Sequence, residues 1–237
     1  MKLEELVKSA MPFLGWVNDW KTNRPTLNVS AEIKDPQSVA VLSVDVINGF
    51  CYQGPLSSPR VAAIVPPIVR LFRRTHELGV RHFILAQDTH EDEAVEFGSF
   101  APHCTRGSAE SEPVPEFKAL PFFDLFTTIP KNSISSNIGT ELSTWLDAHP
   151  ELNTFFVVGD CTDLCAYQLA MYLRLRANAG QRAQDRVILP MDCVATYDLP
   201  VAVAKELGAM PHHGDLLDLI FLYSMALNGV EIVASAI

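Results

Sequence analysis

The chain has 237 residues, 48% of them hydrophobic and 19% charged, which supplies one sizeable buried core and excludes a disordered chain. A formal net charge of −10 sets it against nucleic acid and anionic membranes as partners, while a small neutral or cationic molecule meets no such repulsion. No window approaches about 18 uninterrupted apolar residues, so no membrane-crossing helix is expected.

Residues 1–20 follow an amphipathic helical pattern. Glu4 and Glu5 stand where a secretory signal would carry a basic end before a continuous apolar run, so a cytoplasmic location is expected. Residues 22–37 read as a polar connecting arm, which divides the chain into a terminal helix and arm (1–38) and a domain (39–237). The run SVAVLSVDVI (38–47) is β-rich and almost continuously apolar, as a strand covered on both faces should be. Residues 59–79 show helical spacing, with Ile64, Ile68, Leu71, Phe72 and Leu78 on one side and Gly79 as a stop.

RHFILAQD (81–88) is a second predicted strand. A long irregular stretch follows it to about residue 125, and a loop of that length in a compact domain is usually functional. A short strand is expected at FTTIP (126–130), a helix over 136–149, a buried strand at NTFFVVGD (153–160) and a helix over 162–180. RVILPMD (186–192) and GVEIVAS (229–235) complete the strands, with helices near 199–207 and 212–227. Strands alternating with helices imply a three-layer α/β/α sandwich around a mostly parallel, Rossmann-like sheet of about six strands. In such sheets the working site lies beyond the carboxyl ends of the strands. Asp45, Asp88, Lys131 and the GDCTDLC segment should therefore gather at one edge.

Three features there carry chemistry. The five cysteines, Cys51, Cys104, Cys161, Cys165 and Cys193, are an odd number with no export signal, so free thiols are expected. Cys165 falls in the first turn of a helix that Thr162 or Asp163 can cap. There the helix N-terminus favours a thiolate, and free N–H groups can hold an oxyanion. Placement alone leaves this reading open against simple packing of Cys165 between helix and sheet. Asp45 closes an apolar strand, where a carboxylate is costly unless used, and Lys131 follows another. Together they can move a proton from the thiol to a leaving amine. Asp88, His90, Glu96 and His103 form a mixed carboxylate and imidazole set suited to zinc, iron or manganese. His76 and His82 read as structural, and His212 and His213 as caps of the last helix.

With these residues assembled, the chain resembles the isochorismatase-like cysteine hydrolases from about residue 39 onward, and within them the plant-type nicotinamidases. The resemblance is carried by DVINGFC (45–51), PHCTRGSAESEPVPEFKAL (102–120), VVGDCTDLC (157–165) and CVATYDLPVAVAKELGAMPH (193–212). It implies a triad of Asp45, Lys131 and Cys165, and a non-proline cis peptide in the segment after Gly159, between Asp160 and Cys161. That bond would aim the N–H groups of Cys161 and Cys165 into an oxyanion hole. It implies one divalent ion per subunit, held by Asp88, His90, Glu96 and His103 next to the triad, where nicotinamidases bind the pyridine nitrogen. Phe50 and Phe100 match the aromatic residues that sandwich the ring. The expected reaction is deamidation of nicotinamide to nicotinate and ammonia through a Cys165 thioester, in a protein expected to self-associate.

Two positions depart from the family pattern. Ile47 stands where a glutamine is usual, and Glu110 where many members have glycine; neither is expected to touch the triad or the ligands. The competing readings are a related amidohydrolase for a carbamoyl, ureido or other small amide, an isochorismatase-type vinyl ether hydrolase, and a silent binding protein. The complete set of triad and ligand residues stands against each.

Overall fold

The computed structural model describes residues 2–237. Its central sheet is parallel in every pairing and is built from β2 (Val39–Val44), β3 (His82–Asp88), β4 (Phe126–Lys131), β5 (Thr154–Asp160), β6 (Arg186–Pro190) and β8 (Glu231–Val233). Their order is β4-β3-β2-β5-β6-β8, and the two-residue β7 (Val194–Ala195) adds to the end of β5 as a seventh strand. All six residues of β2 are buried, as its apolar run requires.

Because chain order leaves β2 in both directions, right-handed crossovers put the helices on opposite faces. One face carries α5 (Val65–Glu77) and the short α6 (Pro115–Lys118), which bury Ile68, Leu71, Phe72 and Phe117 against Val41 and Phe83. The other carries α7 (Leu142–Ala148), α8 (Cys165–Ala179) and α10 (Gly214–Leu227), with Leu142, Leu146, Leu169 and Met225 packed near Leu42 and Val157. The expected three layers are therefore present.

Several expected elements are shorter or differently placed. The helix expected over 59–79 breaks into α4 (Pro59–Ala62) and α5. Pro66 and Pro67 lack the N–H groups needed to continue α4, but they are tolerated in the first turn of a new helix. Residues 136–141 are not helical. Gly139 sits at φ 70, and the Ser135 and Thr140 hydroxyls bond to nearby backbone, holding a turn instead. The 22–37 segment is more than an arm: β1 (Thr26–Leu27) pairs in parallel with β9 (Ser235–Ala236), and α2 (Val29–Glu32) follows. Ahead of it α1 (Leu3–Thr22), amphipathic as expected, packs on α10, with Phe13, Trp16 and Trp20 edge-on around Tyr223. Among the described residues, no helix is long and apolar enough to cross a membrane.

One glycine is dictated by the sheet. Gly159 pairs with Val44 and has φ 117, and a Cβ there would lie 1.9 Å from the Val44 carbonyl oxygen. Gly159→Ala should therefore cost at least about 3 kcal/mol of stability. Urea unfolding monitored by circular dichroism checks this, and a loss below about 1 kcal/mol would contradict it.

Candidate active site

The sheet register assembles the site. Val44 aligns with Ala86 on one side and Gly159 on the other, and Asp88 aligns with Lys131. The chain thus leaves β2, β3, β4 and β5 at neighbouring points of one edge, where the strand order reverses between β2 and β5. Asp45 leaves β2 with φ 58, a left-handed conformation that costs a non-glycine residue about 1–2 kcal/mol.

Lys131 is the hub. Its side chain is wholly buried, and its Nζ lies 2.7 Å from Asp45 Oδ2, 2.6 Å from Asp88 Oδ1 and 3.6 Å from Cys165 Sγ. It also donates to the Ser133 carbonyl at 3.2 Å. Asp45 is fixed from its other side, where Oδ1 accepts the Asp88 backbone N–H at 2.8 Å. The structure therefore brings Asp45, Lys131 and Cys165 into mutual contact.

Burial raises the Asp45 carboxyl to about 6, with the Asp88 charge adding to it and Lys131 opposing. Burial pushes Asp88 the same way, but Lys131, His103 and His90 outweigh it and hold this carboxyl below the ordinary range. Lys131 stays firmly protonated because its carboxylate neighbours overcome its desolvation. Cys165 differs from the sequence expectation. Burial raises its thiol well above the ordinary value, against the pull of Lys131, so the helix start alone does not make a thiolate. Its sulfur lies within 4.8 Å of carboxylate oxygens of Asp45 and Asp88.

Neither Thr162 nor Asp163 caps α8. Its N-cap is Leu164, with no side-chain bond, and Cys165 is the first helical residue. The Asp160–Cys161 peptide is cis, as expected. Neither the Cys161 nor the Cys165 backbone N–H donates to a protein acceptor among the described residues.

Asp88, His90, Glu96 and His103 bring one ligand atom each within 4.8 Å of one another. Their outer contacts suit a cation. His90 Nδ1 lies 3.1 Å from Asn132 Oδ1 and His103 Nδ1 lies 2.8 Å from the Ala101 carbonyl, so each ring can donate there and turn a bare Nε2 inward. His90 Nε2 is buried with no hydrogen-bond partner, and Glu96 Oε2 accepts the Ile134 N–H at 3.1 Å. An orphaned imidazole nitrogen among carboxylates and a second imidazole fits the donor set of a divalent ion.

Phe50 and Phe100 both line the adjoining cavity of about 730 Å³, with ring centroids 5.5 and 6.3 Å from that of His103. Several participants were not foreseen. Phe97 adds a third ring, 5.3 Å from His90, and Asn132 orients that histidine. Their adjacency to Glu96 and Lys131 was the available signal. Glu110 does reach the ligand loop: its carboxylate accepts the Cys104 N–H at 3.0 Å, one residue beyond His103. Ile47 is simply buried. His213 caps α10 through its side chain, as expected of the pair, but His212 instead lies 2.8 Å from Asp163 Oδ2. His76 and His82 lie in α5 and β3, with His76 stacked on Phe122.

A cysteine, a carboxylate and an ammonium thus meet at one edge of a parallel sheet, a combination of groups suited to covalent hydrolysis. Residues 39–214, well over half of the chain, match the isochorismatase domain. The chain is 30% identical over 215 residues to nicotinamidase 1 of Arabidopsis thaliana, covering 83% of this chain and 86% of that protein. Its fold is that of a nicotinamidase from Bacillus subtilis (TM-score 0.61, 20% identity, 83% and 99% of the two chains). It is likewise that of N-carbamoylsarcosine amidase from Thermoplasma acidophilum (TM-score 0.61, 20% identity, 83% and 95%). The chain belongs to the isochorismatase family, and it is an amidohydrolase-type enzyme.

Asp160 is a buried carboxyl on the cavity that this machinery does not use, and its Oδ1 has no partner. Burial, reinforced by the Asp45 charge, holds it protonated well above the ordinary range. A raised folded pKa contributes stability that is complete below the unfolded value near 3.8 and is lost as pH rises toward the folded one. Asp160→Asn should therefore raise the melting temperature relative to wild type more at pH 8 than at pH 5. Parallel melting curves check this; an equal difference at both pH values would contradict it.

Proposed function

We propose that the protein deamidates nicotinamide to nicotinate and ammonia, using Asp45, Lys131 and Cys165 beside a divalent ion. The observation that carries this reading is the position of Asp88. One of its oxygens holds Lys131 at 2.6 Å, and the carboxylate lies 3.4 and 3.8 Å from the inward nitrogens of His90 and His103. The thiol and the ligand group therefore share one residue and one cavity. A carbamoyl or ureido substrate offers no ring nitrogen to justify that second group. The 30% identity to the Arabidopsis nicotinamidase supports the same substrate.

Asp88, His90, Glu96 and His103 would hold the ion, which when bound supplies a Lewis acid for the pyridine nitrogen. Phe50 and Phe100 bind the ring, and the carboxamide carbon comes to Cys165. Asp45 takes the thiol proton, and Sγ forms a bond to the carbonyl carbon. Lys131 keeps Asp45 in place and offsets the negative charge as it passes to sulfur. The carbonyl oxygen, now an oxyanion, accepts the unused N–H groups of Cys161 and Cys165. Asp45 returns the proton to nitrogen, the C–N bond breaks and ammonia leaves. A water then gives a proton to Asp45 as its oxygen attacks the thioester carbon; the C–S bond breaks, the sulfur takes that proton back from Asp45, and the acid loses its remaining proton to solvent and leaves as nicotinate. The raised pKa of Asp45 suits a group that must both take and return this proton.

Cys165→Ala should reduce ammonia release from nicotinamide by at least about 10³-fold while leaving the bound metal stoichiometry unchanged. Residual activity within about tenfold of wild type would sink the thioester route. Chelation followed by dialysis should remove activity, and added zinc, iron or manganese should restore it, as read by a coupled ammonia assay. Metal-loaded protein that releases no ammonia from nicotinamide would move the assignment to another small amide on the same cysteine machinery.

A further inference from the structure

One wall of the cavity belongs to neither the sheet nor a well-packed helix. Tyr197, Leu199, Leu207 and Met210 line the cavity from this wall, and α9 (Val201–Leu207) within it leaves Val201 and Leu207 largely exposed. The two ends of the wall are tied together: Leu199 and His212 exchange backbone hydrogen bonds of 2.7 and 2.9 Å.

The base of this wall is joined to the turn that carries the nucleophile through one side chain. His212 Nε2 lies 2.8 Å from Asp163 Oδ2, and His212 Nδ1 lies 2.8 Å from the Tyr197 carbonyl oxygen. A carboxylate and a carbonyl only accept, so both ring nitrogens must donate and the ring is an imidazolium. The Tyr197 ring stacks on it, with centroids 3.9 Å apart and planes 12° from parallel. Asp163 is almost fully buried, and its other oxygen accepts the Thr196 hydroxyl at 2.6 Å. It lies between Cys161 and Cys165, in the turn whose Thr162 N–H is bound to the Ala195 carbonyl at 3.1 Å.

The remaining charges around His212 are already matched. Arg60 of α4 pairs with Asp215 at 2.8 Å and Asp218 at 3.1 Å, both on α10, and donates to the Thr196 carbonyl. Asp163 is thus the carboxylate left for the imidazolium, and this pair bridges two pieces of chain whose relative position matters to the chemistry. One presents the Cys165 thiol and the two unbonded N–H groups; the other closes the cavity over them.

We propose that His212 is a positioning residue for the hydrolysis, clamping the Cys161–Cys165 turn through Asp163 to the 197–212 wall. This rests on the reading of Cys165 as the nucleophile. His212 neither lines the cavity nor belongs to the Asp88, His90, Glu96 and His103 group, so its contribution is to hold the sulfur and the oxyanion donors in register, an effect carried by kcat rather than by binding.

The test is ammonia release from nicotinamide by the full chain loaded with zinc. Wild type is compared with His212→Ala, His212→Gln, Asp163→Asn and the double variant Asp163→Asn/His212→Ala. In His212→Ala, kcat should fall at least about fivefold with KM within about threefold of wild type. His212→Gln, which keeps an N–H donor for Asp163, should recover most of the loss. The double variant should be no more than about twofold worse than His212→Ala, because both changes open the same clamp. A smaller fall in kcat, a rise confined to KM, or losses that multiply would overturn the proposal. If His212→Ala does not fold, His212→Gln and Asp163→Asn carry the comparison: a kcat loss in Asp163→Asn with near wild-type kcat in His212→Gln supports it, and any other pattern counts against it. The rate of Cys165 alkylation by iodoacetamide, read by mass spectrometry, needs no substrate. It should differ from wild type by more than about threefold in Asp163→Asn, and a smaller difference overturns the clamp even if nicotinamide proves to be the wrong amide.

Discussion

The site depends on an ammonium buried among too many negative charges. Lys131 has no exposed side chain, yet it serves Asp45, Asp88 and the sulfur of Cys165 at once. Removing one partner from such a buried group typically costs about 3–5 kcal/mol, because the charge left behind has no solvent to turn to. The arrangement also separates two carboxyls of the same type. Lys131 and the two histidines hold the Asp88 carboxyl below the ordinary range against its burial, while burial, with the Asp88 charge adding to it, raises Asp45 to about 6. Their environments divide the labour: one residue is a permanent anion and the other can carry a proton.

The sheet makes this crowding possible. Parallel pairing aligns Asp88 with Lys131 and Val44 with Gly159, so four strands end within reach of one another. Gly159 lets β5 pass the Val44 carbonyl without a Cβ in the way. Just beyond it the chain turns into α8 and delivers Cys165 over the lysine. The long segment between β3 and β4 then folds back on the same edge, through the His90–Thr105 bridge, to bring His103 beside His90.

The strands and the site residues were legible in the sequence because their signals are local and strong. Apolar runs marked β2, β3 and β5, and the charged residue closing each strand marked the edge where function lies. Asp45, Lys131 and Cys165 do meet, and so do Asp88, His90, Glu96 and His103. Less legible were features decided by distant partners. The start of α8 was misplaced because Asp163, a good capping residue by type, is engaged by Thr196 and His212 from far along the chain. The surroundings of Cys165 are hidden for a similar reason: helix position is visible in sequence, but the complete burial that raises its thiol is not. Glu110 looked remote from the ligands until the fold brought its carboxylate to the Cys104 N–H.

Asp88 belongs to two groups at once, and that has a thermodynamic consequence. A cation drawn to the His90 and His103 nitrogens competes with Lys131 for the same carboxylate. The two equilibria are therefore linked, and linkage is reciprocal: whatever factor the cation applies to the acidity of the Cys165 thiol, ionising that thiol applies to the affinity for the cation. For a cation held there, uptake and ionisation of the Cys165 thiol would be two readings of a single free energy, and its affinity would depend on pH for reasons that lie outside the ligands themselves.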